Sequence, residues 1–257
     1  MNPRYRKPMI AGNWKMNMLA SELKAYADAL KPASVPAKWC ETLLCVPAPL
    51  VPGAARAFKS CRVAVGGQNL SEYASGAYTG EISGPMLRDA GAEYVIVGHS
   101  ERRAMFGETD EEVNRKVKAA LDCGLKPVIC VGETRAQKML GVTAELVTLQ
   151  LRAAVSGLTV REAKQLVVAY EPVWAIGTGM SSTPEEVEQV ASVLRAVIHR
   201  TYGAAVARGT RILYGGSMNE KNASELLAQP DIDGGLVGGA SLHPDKFAQI
   251  IAAARGE

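Results

Sequence analysis

Short apolar runs recur along the chain, each followed by a glycine-containing loop and then by a segment whose apolar residues return at helical spacing. The runs lie at 8–13, 42–47, 62–67, 94–98, 126–132, 165–172, 211–217 and 234–239. Their interiors are almost wholly apolar rather than alternating, which is how strands read when both faces are covered, as in parallel sheets. The intervening segments carry helix-start signals. Thr183-Pro184-Glu185-Glu186 combines a capping threonine, a proline at the first helical position and a glutamate three residues after the cap. Val187, Val190, Ala191, Leu194, Val197 and Ile198 then follow at helical spacing. Thr109 and Glu112 repeat the pattern ahead of Val113, Val117 and Leu121, so the acidic run 110–112 falls in a first turn, where the helix dipole favours negative charge.

Eight strand–helix alternations without a break predict one parallel sheet with right-handed crossovers. Eight is also the number that closes into a barrel at about 250 residues. The expectation is therefore a single-domain α/β protein, a (β/α)8 barrel with parallel strands spanning 1–257. An open doubly wound sheet competes, but its nucleotide loop is missing. Gly177-Thr178-Gly179 is followed by Ser182 where a dinucleotide fingerprint needs glycine, and no Gly-Lys dipeptide offers a P-loop.

Composition narrows the picture by exclusion. Net charge is +3, with basic residues scattered along the chain, too weak a bias for a nucleic-acid footprint. No run of 18 apolar residues predicts a membrane span, and the N-terminal stretch lacks the apolar core of a secretory signal. Five cysteines, an odd set without a CxxC pair, read as reduced structural thiols. A cytoplasmic protein is expected. His99, His199 and His243 are far apart and show no metal-ligand spacing, Asp231-Ile232-Asp233-Gly234 lacks the closing glutamate of a calcium loop, and Gly215-Gly216-Ser217-Met218-Asn219 misses the nucleophile elbow at its last position. No metal and no cofactor is expected.

In such barrels the chemistry sits on the loops after the strand C-termini. Asn13 and Lys15 stand at the end of strand 1, His99 with Ser100 and Glu101 after strand 4, and Glu171 at strand 6. Strands 7 and 8 end in the glycine turns Gly215-Gly216-Ser217 and Gly238-Gly239. Each has a plainer reading alone: a hydrogen-bonded histidine, a rim carboxylate, a surface lysine, tight turns. Together they supply a general base, a polarising imidazole, a cation for developing negative charge and free backbone N–H groups for an anion. That set suits proton abstraction beside a carbonyl on a small phosphorylated substrate.

Five stretches then resemble the triosephosphate isomerase family, in its order, between residues 10 and 242. They are Gly12-Asn13-Trp14-Lys15-Met16-Asn17, Val97-Gly98-His99-Ser100-Glu101-Arg102-Arg103, the run from Ala169 through Glu171 to Gly179, Tyr214-Gly215-Gly216-Ser217, and the run from Gly234 to Leu242. The resemblance implies interconversion of dihydroxyacetone phosphate and glyceraldehyde 3-phosphate without a cofactor. Glu171 would be the base, His99 a neutral imidazole donating to the enediolate oxygens as described for this family, Lys15 and Asn13 the stabilisers of negative charge, and Glu101 the partner of Lys15. Gly177, Ser217, Gly238 and Gly239 would bind phosphate. Pro172, Val173, Trp174, Ala175, Ile176, Gly177, Thr178 and Gly179 would form a lid. Segment 68–81 resembles the loop that inserts into a partner subunit, so a homodimer with Thr79 at the interface is implied. Two rivals are an aldolase on the same barrel, which would need a lysine where Glu171 stands, and a phosphate-binding barrel without catalysis.

Overall fold

A computed structural model describes residues 5–34, 37–175 and 182–255. Eight parallel strands close into a barrel in sequence order: β1 (Met9–Asn13), β2 (Glu41–Cys45), β3 (Val63–Gly67), β4 (Tyr94–Val97), β5 (Lys126–Val131), β6 (Val167–Tyr170), β7 (Arg211–Tyr214) and β8 (Gly234–Val237). β1 pairs with both β2 and β8, with Ala11 beside Leu43 on one side and Leu236 on the other. The predicted runs contain these strands, except that β2 starts one residue earlier, at Glu41. They overshoot most at 165–172 and 211–217, whose last residues are already loop.

The unbroken apolar runs divide between two cores. Met9, Ala11, Leu43, Cys45, Tyr94, Ile96, Val128, Cys130, Val167, Ala169, Leu213 and Leu236 fill the barrel interior. Their neighbours in sequence, such as Ile10, Leu44, Val95, Ile129 and Val168, point outward into the layer beneath the helices. A strand buried on both faces leaves polar side chains few positions, mostly at its ends, so the alternation expected of a half-wet sheet is missing.

The helices of the outer layer are α1 (Ala20–Ser34), α2 (Val51–Phe58), α3 (Gly84–Asp89), α4 (Ser100–Phe106), α5 (Asp110–Asp122), α6 (Arg135–Met139), α7 (Thr143–Ala154), α8 (Val160–Ala163), α9 (Pro184–Tyr202), α10 (Ala204–Gly209), α11 (Ala223–Ala228) and α12 (Pro244–Ala253). Both predicted capping boxes form. The Thr109 hydroxyl accepts from the Glu112 N–H while Glu112 accepts from the Thr109 N–H, and Thr183 with Glu186 does the same. Val187, Ala191, Leu194, Val197 and Ile198 make the buried face of α9. All five cysteines are free thiols, with Cys40, Cys45 and Cys130 buried. No helix among the described residues is long and apolar enough to cross a membrane.

Candidate active site

The C-terminal ends of the strands surround a cavity of about 290 Å³ lined by Asn13, Lys15, His99, Glu171 and the two glycine turns, including Gly215, Gly216, Ser217, Gly238 and Gly239. Glu171 follows β6 directly and is almost wholly buried. Its N–H donates to the Val131 carbonyl at 2.8 Å. One carboxylate oxygen accepts from the Ser100 N–H at 2.9 Å, and the other meets His99 Nε2 at 3.0 Å. Two neighbours must be glycine for this carboxylate to sit here. A Cβ on Gly132 would lie 1.8 Å from the Glu171 carbonyl oxygen, and one on Gly215 would lie 2.6 Å from Glu171 Cγ.

His99 caps α4, its Nδ1 accepting from the Glu101 N–H at 3.2 Å. Gly98 before it holds φ +73°, a left-handed conformation that glycine adopts without strain. The Gly98 N–H donates to the buried Glu108 at 3.0 Å, and Glu108 is itself held by Arg102 at 2.6 Å and Lys116 at 3.0 Å. Burial opposes the charged form of Glu108, but the two cations beside it keep its carboxyl below the usual range.

Burial acts on the Glu171–His99 pair in the same way, working against both charges. The facing His99 imidazole and the Ser100 N–H nonetheless hold the Glu171 carboxyl below its ordinary value. Burial would lower the His99 pKa, yet the Glu171 and Glu101 carboxylates raise it above 6.5. Beneath the pair, burial and the Glu171 charge push the Cys130 thiol well up, so it stays protonated.

Lys15 adopts φ +50°, unusual for a residue with a side chain. Its own N–H donates to Asn13 Oδ1 at 3.0 Å. Gln68 Nε2 approaches Lys15 O at 2.9 Å, Cys45 O at 3.2 Å and Asn13 Oδ1 at 3.3 Å, tying the loop to the ends of β2 and β3. The Lys15 ammonium meets Glu101 at 2.6 Å, and Lys15 Cε lies 3.5 Å from where a Gly238 Cβ would be. The cation thus reaches the glycine wall, while Glu101 does not line the cavity and acts through Lys15.

After Glu171 the chain turns away through Val173–Ala175. Trp174 Nε1 donates to the fully buried Glu133 at 2.8 Å, Tyr170 OH to the same oxygen at 3.1 Å, and Ser217 Oγ to the Ala175 carbonyl at 2.6 Å. Ile176, Gly177, Thr178 and Gly179 of the expected lid lie outside the described residues. Thr79 is exposed on its loop and does not line its own chain's cavity. Gln68, Glu108 and Glu133 were not among the expected site residues. Only Glu133 left a sequence signal, as a carboxylate directly after a strand-ending glycine. Among the described residues no group of three His, Cys, Asp or Glu is placed to hold a metal.

Fold and site together define a (β/α)8-barrel protein with a buried acid–base pair beside an anion-sized wall of backbone. A family model for triosephosphate isomerase matches residues 8–254. The triosephosphate isomerase of Acetivibrio thermocellus is 51% identical over 245 residues, covering 95% of this chain and 97% of that protein. The one from Endomicrobium trichonymphae is 47% identical, covering 96% and 98%. The crystal structure of triosephosphate isomerase from Bartonella henselae superposes with a TM-score of 0.88 at 38% identity, covering 97% of this chain and 99% of that one. The chain belongs to the triosephosphate isomerase family.

Proposed function

We propose that this protein is an aldose–ketose isomerase of glycolysis and gluconeogenesis, interconverting dihydroxyacetone phosphate and D-glyceraldehyde 3-phosphate. The observation that carries the reading is the ionised Glu171 facing His99 inside a cavity that also holds Lys15 and two glycine turns. Glu171 takes a proton from the hydroxymethyl carbon, the electron pair moves to the carbonyl oxygen, and an enediolate forms. His99 donates from Nε2 to the oxygens, Lys15 and Asn13 balance their negative charge, and Glu171 returns the proton to the neighbouring carbon. Transfer of one proton between adjacent carbons changes no overall oxidation state and needs no cofactor. β6 is followed directly by a carboxylate, not by the lysine that a Schiff-base aldolase requires.

A substrate seated between the pair separates the two side chains that now touch. The imidazolium then loses its nearest counter-charge, while burial and the Glu101 N–H at Nδ1 remain, so a neutral imidazole is favoured at the moment of reaction. Backbone N–H groups of Ser217, Gly238 and Gly239, with Gly177, bind the phosphate. The stretch from Pro172 to Gly179 serves as the lid, with Trp174 and Ala175 anchoring its near end on Glu133 and Ser217.

A cytoplasmic homodimer completes the reading. Met16, Tyr73, Tyr78, Met86 and Phe106 are exposed apolar side chains on the loops and helices after β1, β3 and β4, with Met16 96% accessible, and Thr79 is exposed on the same loop as Tyr73 and Tyr78. Isomerisation run in D2O tests the chemistry. Deuterium should enter the carbon beside the carbonyl in the product, and a product free of solvent deuterium would point to hydride transfer instead.

A further inference from the structure

A second cavity of about 480 Å³ adjoins the candidate active site and shares a wall with it that includes Asn219 and Gly239. Its free side is built differently. The active-site end is glycine backbone with one cation, Lys15, already paired with Glu101, whereas the annex is edged by Lys221, Lys246 and His243, with Glu220 as the one carboxylate. Among the described residues neither lysine ammonium forms an ion pair, in contrast to Lys15, which is held by Glu101. Lys221 and Lys246 come from separate elements, the turn before α11 and the first turn of α12, so the fold rather than local sequence brings them to one rim.

We propose that this annex is a second anion subsite, which takes the far end of a linear polyphosphate or doubly phosphorylated small molecule whose near phosphate occupies the glycine wall. The inference rests on the phosphate-binding reading of the glycine turns. Two unpaired ammonium groups supply charge beyond that of Lys15, which Glu101 already balances, and the shared wall lets one extended molecule reach both sites. Such compounds are competitive inhibitors, because their near phosphate displaces that of the substrate. Glu220 works against them, which gives the proposal a signed consequence.

The test is competitive inhibition of isomerisation by inorganic phosphate, pyrophosphate and tripolyphosphate, at fixed ionic strength and without divalent metal. In the parent, tripolyphosphate should bind more tightly than phosphate. In the double variant Lys221→Gln/Lys246→Gln, tripolyphosphate inhibition should weaken about tenfold, as expected for two partly screened charge contacts, while phosphate inhibition and kcat stay as they are. Glu220→Gln should tighten tripolyphosphate. Equal tripolyphosphate constants in parent and double variant, equal weakening of phosphate and tripolyphosphate, or weaker binding in Glu220→Gln would overturn the annex alone. Failure of phosphate itself to compete would overturn the glycine-wall reading and the annex with it.

Discussion

Glu171 and His99 touch at 3.0 Å across the mouth of the barrel, and each moves the other's proton affinity the opposite way: Glu171 down, His99 up. The pair is a pre-set proton donor and acceptor, both members buried at the cavity wall.

The free protein's pH behaviour follows from those directions. His99, raised above 6.5, contributes stability that is full below pH 6.5 and lost as pH rises through its folded value. Glu171, lowered from 4.5, contributes stability that is present above pH 4.5 and lost as pH falls through its folded value. The two overlap between pH 4.5 and 6.5, where the pair stabilises the fold most. NMR titration of the His99 imidazole should give a pKa above 6.5 in the parent and a clearly lower one in Glu171→Gln, where Glu101 alone still opposes burial. A His99 pKa unchanged by that substitution would contradict the pairing.

The two glycines against Glu171 should respond differently to a methyl group. At Gly132 the obstacle is backbone, so Gly132→Ala should destabilise by about 3 kcal/mol, the upper end for overpacking, measured by denaturant unfolding. At Gly215 the nearest obstacle is Glu171 Cγ at 2.6 Å, a side-chain atom that must shift, with the Tyr170 carbonyl oxygen next at 3.2 Å and needing to give only a few tenths of an ångström. Gly215→Ala should therefore keep most stability and lower kcat by about 10²-fold, the cost of a misplaced reacting group. Equal effects of both on unfolding would show that Glu171 is not held where the geometry places it.

Removing Glu108 should damage the His99 loop from a distance. Glu108→Ala leaves the Gly98 N–H without this acceptor and the buried Lys116 ammonium without its counter-charge, held only by Asn69 Oδ1 at 3.0 Å, so unfolding free energy should fall by about 3 kcal/mol. Activity should fall as well, although Glu108 lies outside the cavity. A stability change below about 0.5 kcal/mol, ordinary for surface substitutions, would count against this support role.

How much of this was legible in the chain depends on where the partners lie. The barrel was readable because strands covered on both faces must be apolar throughout, and Ile10 beside Ala11 or Val168 beside Ala169 meets that demand residue by residue. Glu171, His99 and Lys15 were readable because each interrupts or directly follows such a run. Strand ends were overshot at 165–172 and 211–217, since hydrophobicity does not record where the hydrogen-bond ladder stops. Glu108 and Gln68 were invisible. Their value lies in contacts to Gly98 and to Lys15, 10 and 53 residues away in sequence, which no local pattern encodes. Lys138, whose ammonium lies 3.8 Å from the centre of the Trp174 ring, was hidden for the same reason.

The dimer reading predicts a solution mass of twice the 27.3 kDa chain by sedimentation at micromolar concentration. Placing a charge in the exposed apolar surface, with Met16→Asp and Phe106→Asp combined, should give monomers that keep their circular dichroism spectrum. A parent that sediments at 27.3 kDa would contradict that reading.

The most direct measurement is the rate of glyceraldehyde 3-phosphate isomerisation, followed by a coupled assay without nucleotide or metal supplied to this protein, in the parent and in Glu171→Asp. Shortening the side chain by one methylene pulls the carboxylate back from the reacting carbon while keeping its charge. Rapid cofactor-free turnover is expected in the parent, and a loss of at least about 10²-fold, mostly in kcat, in the variant. A folded parent without turnover, or a Glu171→Asp variant as fast as the parent, would contradict that expectation.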